Sequence, residues 1–372
     1  MNSDPKRQEL SNILKHLAGE LDITPTKRQE ATDKYKAVTE WLGDSKGCLV
    51  DYHPDIFPHG SFRLGTVVRS LGQDEFDLDF TCRLEIGPSE RPEAVKALVG
   101  QRLLENGRYE NIAKPKNRCW RINYSGDFHM DIMPAIPDAR HEFGNIWVPD
   151  RKLAAWIRSN PRGYAKWFDD VMIPMRDIVR LEARASVETL PDEKIKTPLQ
   201  LAIQILKRHR DLRFQHDLDN RPGSIILTTL AAKAYNREAD LFSTILTIAL
   251  GMPDQIERDE LGHPVVKNPA NLSENLAEKW KEHPERLIKF ANWLGAVRED
   301  LLSLLAKDGL PGIGQVLESR FGERETRAAF RKHGEYLNDS HTQGKVGFVG
   351  GAVVLNAPNI VTPIRRNTSY GG

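Results

Sequence analysis

Two neighbouring stretches decide the fold: His59-Gly60-Ser61-Phe62-Arg63-Leu64-Gly65-Thr66 and Phe76-Asp77-Leu78-Asp79-Phe80. In the second stretch apolar and polar residues alternate, and a period of two indicates a β-strand whose successive side chains point to opposite faces. Asp77 and Asp79 therefore project from one face. Because two ionised carboxylates this close repel each other, the pair predicts a bound cation. Mg²⁺ favours a few carboxylates together with substrate phosphates.

A third acidic residue, Asp131, lies in a second alternating stretch, Phe128 to Met133, and points away from its apolar neighbours. The preceding run, Arg118 to Tyr124, is strand-like, and Ser125-Gly126-Asp127 is typical of a turn. The pattern predicts a β-hairpin whose second strand lies beside the strand that carries Asp77 and Asp79. Three carboxylates on neighbouring strands can hold two divalent ions about 3.5–4 Å apart, which suits in-line phosphoryl or nucleotidyl transfer.

Three further elements are suited to binding phosphate. The Gly60-Ser61 turn offers close backbone approach, free N–H groups and a hydroxyl. A helix predicted to start at Thr197 carries Lys207 at the edge of its apolar stripe, and Ser224 is predicted to cap the next helix. Lys207 and Ser224 together can hold a triphosphate. The alternatives are that Lys207 is a solvated side chain and that Ser224 only caps its helix.

Length and patterning predict an α+β protein with two lobes. Residues 1–190 are predicted to form a mixed-sheet lobe with N-terminal brace helices, one over 8–19 and one starting near Thr26. Residues 191–340 are predicted to form a helical lobe with an exposed loop at 251–273. An aromatic-rich segment over 153–168 is interpreted as helical, and residues 341–372 as a flexible tail.

Composition excludes several classes of function. A net charge of +1 argues against non-specific binding of long nucleic acid, which needs a broad basic surface. The basic residues Lys114, Lys116, Arg118 and Arg121 are interpreted as a solvated strand edge. Three cysteines without Cys/His spacing argue against structural zinc. With no apolar signal core and no run of about 20 apolar residues, we expect no membrane association and a cytoplasmic protein.

The combined motifs resemble those of the cGAS/DncV-like nucleotidyltransferases (CD-NTases), a branch of the DNA polymerase β superfamily. The resemblance covers about residues 25–340. The motifs that carry it are Gly60-Ser61-Phe62-Arg63-x-Gly65-Thr66, Phe76-Asp77-x-Asp79, His129-x-Asp131-x-x-Pro134-Ala135, Ser159-Asn160-Pro161-Arg162-Gly163-Tyr164, Leu206-Lys207-Arg208-His209-Arg210-Asp211 and Pro222-x-Ser224-Ile225-Ile226-Leu227.

This resemblance implies a nucleotidyltransferase lobe facing a C-terminal helical lobe, with the active site in the cleft between them. It implies two Mg²⁺ or Mn²⁺ ions: Asp77 and Asp79 hold the ion on the donor triphosphate, and all three acids hold the second ion. Gly60, Ser61, Lys207 and Ser224 then bind the triphosphate. The implied reaction joins NTPs, such as ATP or GTP, into a cyclic di- or trinucleotide with release of pyrophosphate. In bacterial anti-phage defence (CBASS) the product activates an effector.

In some such systems an E1/E2-like protein joins the C-terminal glycine of the synthase to a target, which makes Gly372 a candidate conjugation site.

Three other functions remain open from the residues. The first is a transferase that makes linear oligonucleotides or extends RNA ends, and the second is a catalytically silent nucleotide-binding scaffold. The third, a D-x-D glycosyltransferase, leaves the Gly-Ser turn and Asp131 unexplained. The sequence does not specify the bases, their number or the linkage.

Overall fold

The computed structural model describes residues 4–71, 75–124, 126, 128–138, 144–150, 152, 154–185, 195–342, 346–349, 352–355 and 362–363. Within these residues a seven-stranded mixed sheet has the order β1-β2-β5-β4-β3, and β6 and β7 extend it from the far end of β5. The strands are β1 (Asp55–His59), β2 (Phe76–Arg83), β3 (Ala113–Pro115), β4 (Trp120–Tyr124), β5 (Phe128–Pro137), β6 (Ile146–Asp150) and β7 (Ala155–Ser159).

Helices pack on this sheet and form the helical lobe. Together with the sheet they confirm the predicted α+β class. They are α1 (Pro5–Leu21), α2 (Pro25–Leu42), α3 (Gly60–Leu64), α4 (Pro92–Leu104), α5 (Pro161–Ala185), α6 (Pro198–Arg213), α7 (Ser224–Ala234), α8 (Leu241–Gly251), α9 (Lys279–Glu282), α10 (Pro284–Ala306), α11 (Gly309–Phe321) and α12 (Glu323–Thr342).

The centre of the sheet is the pair β2 and β5. The strands are parallel, and Asp79 lies in register with Asp131. β4 and β5 form the predicted antiparallel hairpin. The apolar parity of β2, which includes Leu78 and Phe80, is buried in the sheet-lobe core. Because side chains alternate along a strand, the opposite parity, which carries the acids, faces the cleft.

α2 is the brace that the sequence predicts against the sheet. Its Tyr35 ring stacks on Phe80 of β2 with centroids 4.2 Å apart, and its buried residues belong to the sheet-lobe core. The helix starts earlier than predicted: the N-cap is Thr24, whose hydroxyl accepts from the Lys27 amide at 3.2 Å, and Pro25 takes the first helical position.

α1 does not brace the sheet. Its stripe of Leu10, Leu14 and Leu17 is fully buried in the helical-lobe core, against α6, α8 and α12. The first half of α5 joins the same core through Phe168 and Met172. The two hydrophobic cores are therefore not separated at residue 190: α1 and α5 precede that point in the chain but pack with the helices that follow it.

α6 connects the two lobes through side chains that donate to backbone carbonyls of the segment between α3 and β2. The acceptors lie over residues 64–69, which pair with no strand in the described part of the chain, so the helix supplies the hydrogen bonds that buried carbonyls need. The bonds run from Gln200 to Leu64 (2.9 Å), Lys207 to Thr66 (2.9 Å), Gln204 to Val67 (2.6 Å) and Arg208 to Arg69 (2.9 Å).

Two other expectations differ from the structure. Residues 155–159 form β7 rather than a helix, and α5 begins only at Pro161, where the Asn160 side chain accepts from the Gly163 amide at 2.8 Å. The 251–273 region, predicted as a loop, contains a turn and short strands: β8 (Glu257–Arg258), β9 (Pro264–Val265), β10 (Lys267–Asn268) and β11 (Asn271–Asn275).

Part of the segment predicted as a flexible tail is paired. β12 (Val346–Val349) lies between β13 (Ala352–Leu355) and β14 (Thr362–Pro363), and β13 contacts α1. Gly371 and Gly372 lie outside the described residues, so conjugation at Gly372 stays a prediction. In the described part of the chain, no helix has the length and apolarity needed to cross a bilayer.

Gly100 of α4 tests the packing of this helix on β4, and Gly19 of α1 serves as the comparison. A Cβ on Gly100 would overlap the Trp120 indole, whereas a Cβ on Gly19 of α1 meets nothing within 4 Å. Alanine normally stabilises a helix interior by about 0.5–1 kcal/mol relative to glycine. We expect Gly19→Ala to raise the free energy of unfolding by this amount and Gly100→Ala to lower it by about 1–3 kcal/mol because of overpacking. Urea unfolding measures both, and a stabilising Gly100→Ala would contradict the packing described.

Candidate active site

The predicted site residues meet in one cavity of about 340 Å³ in the cleft between the lobes. Asp77 and Asp79 reach it from β2, and Asp131 reaches it from β5. We refer to these three residues as the acid cluster. The remaining predicted residues line the same cavity: Gly60, Ser61, Lys207 and Ser224. The structure therefore brings together positions from sequence segments far apart, and their individual roles remain predictions.

The acid cluster brings three carboxyl groups close together, and the Asp79 carboxyl among them is poorly hydrated. Burial, and then the charges of Asp77 and Asp131, raise the pKa of Asp79 to about 7. Asp77 is 58% exposed toward the cleft, but loss of hydration still raises its pKa, and the neighbouring Arg121 opposes this. A carboxylate with a raised pKa beside other carboxylates is a site that gains from a cation.

Arg121 of β4 supplies positive charge to the acid cluster. It lies directly opposite Asp131 in the hairpin and donates to both of its oxygens at 2.7 Å. Sequence reasoning placed this arginine on a solvated edge. The signal that could have identified it is the hairpin register, which depends on where the turn falls.

The chemistry of the acid cluster fits divalent cations, which prefer oxygen ligands. A guanidinium already sits beside these carboxylates, so the site accommodates a positive charge. Over the residues that the structure describes, however, no group of three acidic, histidine or cysteine side chains is arranged to hold a metal ion. Both carboxylate oxygens of Asp131 accept from the Arg121 guanidinium.

Gly60 and Ser61 begin α3, directly after β1 and against the acid cluster. Gly60 has φ +62°, in the left-handed region, and a Cβ at this position would overlap the Asp79 carboxylate. Glycine is therefore required both by the backbone conformation and by the close approach to Asp79. This approach also brings the start of α3 next to the acids.

Lys207 is buried, and its ammonium donates to the carbonyl oxygen of Thr66 at 2.9 Å and to the Thr66 hydroxyl at 3.2 Å. Burial, and then the charge of Arg210, lower its pKa to about 7. An ammonium has three N–H donors, so two hold the segment between α3 and β2 while one remains for the cavity. The solvated-lysine alternative is wrong, because the side chain is buried.

Ser224 is the first residue of α7 rather than its N-cap, which is Gly223. Its hydroxyl oxygen lies 3.0 Å from Nη1 of Arg210, which also donates to the carbonyl of Pro222 at 3.1 Å. A guanidinium only donates, so the Ser224 oxygen accepts and its own proton is available to an anion. Sequence reasoning missed Arg210, which also donates through Nε and Nη2 to Asp211.

Comparison with known proteins agrees with this geometry. A family model described as the Second Messenger Oligonucleotide or Dinucleotide Synthetase domain matches residues 9–171. The chain is 31% identical over 369 residues to the c-di-GMP synthase of Roseivirga ehrenbergii, with 98% of each chain covered. The fold and the site are those of a nucleotidyltransferase. The chain belongs to the CD-NTase family, as its motifs predicted.

Solved structures share the fold. The CD-NTase CdnG of Bradyrhizobium diazoefficiens in complex with GTP aligns with a TM-score of 0.71 at 21% identity, covering 87% of this chain and 99% of that one. The cyclic AMP-GMP synthase DncV of Vibrio cholerae, with nonhydrolyzable GTP, aligns with a TM-score of 0.55 at 18% identity, covering 87% and 89%. These likenesses confirm the predicted two-lobed polymerase β-like fold.

Gly60→Ala tests the close approach of α3 to Asp79. Adding a methyl group strains the backbone and pushes Asp79 away, and displacing a catalytic group by about 1 Å can cost on the order of 10²-fold in rate. We expect a loss of this size in pyrophosphate release from NTPs. Gly262→Ala is the matched control, because Gly262 also has positive φ (+82°) but open space around it. Equal activities in the two variants would contradict the geometry.

The raised pKa of Asp79 predicts how stability depends on pH without divalent ions. Between its ordinary value of 3.8 and about 7, Asp79 holds a proton in the folded protein that it releases in the unfolded chain, so its contribution to stability falls as pH rises through this window. Asp79→Asn should flatten the fall. Asp170→Asn, on an exposed part of α5, should keep the wild-type slope. Urea unfolding in EDTA at several pH values measures this, and an unchanged slope in Asp79→Asn is the contrary result.

Proposed function

We propose that this protein joins two GTP molecules into a cyclic dinucleotide and releases two pyrophosphates. The observation that carries the proposal is the identity of 31% over nearly the whole chain to a protein named c-di-GMP synthase. The GTP complex of CdnG supports the choice of nucleotide. The meeting of all seven residues predicted for catalysis or nucleotide binding in one cavity supports the chemistry.

In each half-reaction a ribose hydroxyl oxygen of one nucleotide attacks the α-phosphorus of the other. A new P–O bond forms, the bond to the pyrophosphate oxygen breaks, and the hydroxyl proton passes to solvent. A second such step closes the ring. Asp77, Asp79 and Asp131 would hold two divalent ions, Mg²⁺ or Mn²⁺, which would activate the hydroxyl and neutralise charge on the leaving group.

The chain's own donors hold the triphosphate. Ser61 offers a hydroxyl at the start of α3. Lys207 offers its third N–H, and Ser224 offers the hydroxyl proton that Arg210 leaves available. These groups lie on both lobes, so the nucleotide is oriented by elements that α6 already connects. Positioning of this kind contributes most of the catalysis in phosphoryl transfer.

We propose the biological role of this protein from the role of the CD-NTase family. CD-NTases make second messengers that activate an effector in anti-phage defence, and this protein is proposed to do so in the cytoplasm. An E1/E2-like protein acting on Gly372 is part of the same proposal. Deleting Gly372 in cells that carry the neighbouring genes should remove conjugates of higher mass, and unchanged conjugates would exclude this site.

The product assay distinguishes the proposed function from its alternatives. The full chain is incubated with GTP, ATP or both in Mg²⁺, treated with phosphatase and analysed by mass spectrometry. We expect a phosphatase-resistant product of cyclic di-GMP mass from GTP alone. Asp77→Ala/Asp79→Ala should give none, and the exposed-site control Asp170→Ala should give the wild-type amount.

Each contrary outcome of the product assay would support a different function or product. Phosphatase-sensitive linear products would support the transferase that makes linear oligonucleotides. A resistant product that requires ATP would replace cyclic di-GMP with a mixed dinucleotide. GTP binding without any product from the wild type would support the silent scaffold.

A further inference from the structure

Arg121 occupies the carboxylate that a second metal ion is proposed to use. Its Nε donates to Oδ1 of Asp131 and its Nη2 donates to Oδ2, each at 2.7 Å. The same Nη2 lies 3.5 Å from Oδ1 of Asp77. The guanidinium therefore bridges acids that come from β5 and from β2.

The strand register and the chemistry of arginine make this arrangement specific. Residues directly opposite on antiparallel strands have Cβ atoms about 4.5–5.5 Å apart, and Arg121 is the residue opposite Asp131. The planar guanidinium matches a carboxylate with two parallel hydrogen bonds and keeps its charge at every physiological pH. The Arg121 side chain is 26% exposed, so it is not enclosed in the core.

We propose that Arg121 is a built-in counter-ion that competes with divalent cations for Asp131. A guanidinium in this position and a divalent ion on the same carboxylate repel each other, so the ion binds at Asp131 only after Arg121 has turned away. This inference rests on the metal-dependent function proposed above. It goes beyond that function by giving the metal-free site a defined closed state.

The competition works in both directions, because coupling between two bound groups is reciprocal. Arg121 stabilises the acid cluster while no metal is bound, and it weakens metal binding by the same free energy. The consequence is that a higher concentration of divalent ions is needed at Asp131, because the ions, together with substrate phosphates, must outcompete the guanidinium. Removing Arg121 should therefore tighten metal binding and destabilise the metal-free protein.

A titration with Mn²⁺ alone tests this directly. Free Mn²⁺ is followed by electron paramagnetic resonance with the full chain and no nucleotide. We expect Arg121→Ala to bind Mn²⁺ on the order of tenfold more tightly than the wild type. Lys114→Ala is the matched control: Lys114 is exposed, and it lies opposite Arg121 on β3. Its affinity should equal that of the wild type.

Several results would overturn the proposal. They are an unchanged or weaker affinity in Arg121→Ala, an equal gain in Lys114→Ala, or wild-type Mn²⁺ binding by Asp77→Ala/Asp79→Ala. If Arg121→Ala does not fold, Arg121→Lys keeps the charge but loses the two-pronged contact. An affinity of this variant equal to that of the wild type would then contradict the competition.

Thermal unfolding gives a second readout that does not involve catalysis. In EDTA, Arg121→Ala should melt below the wild type, and added Mn²⁺ should narrow the difference. A difference that Mn²⁺ leaves unchanged would mean a purely structural role for Arg121. Because neither measurement uses nucleotide, their outcome is separate from the product assay, and failure to make a cyclic product does not decide the role of Arg121.

Discussion

The parallel pairing of β2 with β5 is the constraint on which the rest of the site depends. It sets Asp79 beside Asp131 in register and places Asp77 on the same face of the sheet. The result is an acid cluster in which burial, and then the charges of Asp77 and Asp131, raise the pKa of Asp79, so ionising all three acids without a nearby cation is unfavourable. Arg121 relieves part of this repulsion within the protein, and substrate-bound cations are proposed to relieve it during catalysis.

The second requirement is that the two lobes present their groups to one cavity. α6 meets it through hydrogen bonds to the carbonyls of residues 64–69, which lie between the start of α3 and β2. Lys207 both connects the lobes and lines the cavity, because its ammonium donates to Thr66 and also borders the cavity. The connection between the lobes and the proposed binding of the triphosphate therefore share one side chain.

Alternation and turn chemistry in the sequence were sufficient to predict β2, β4 and β5, the shared face of the acids and the hairpin. They could not predict Arg121, because its place opposite Asp131 depends on the hairpin register, which a shift of one residue would reverse. The stripe of α1 showed that the helix buries one face, but an amphipathic pattern does not identify the surface it packs on. The aromatic run before α5 fitted helix and strand equally, as short apolar segments often do.

The central claim is that Asp77, Asp79 and Asp131 hold the catalytic cations once Arg121 has left Asp131. A crystal structure with a nonhydrolysable GTP analogue and Mn²⁺, measured for anomalous scattering, tests it most directly. We expect two anomalous peaks, both bound by Asp77 and Asp79 and one also by Asp131, with the Arg121 guanidinium turned away. Peaks bound without Asp131, with Arg121 still on that carboxylate, would show that Asp131 does not hold a catalytic cation.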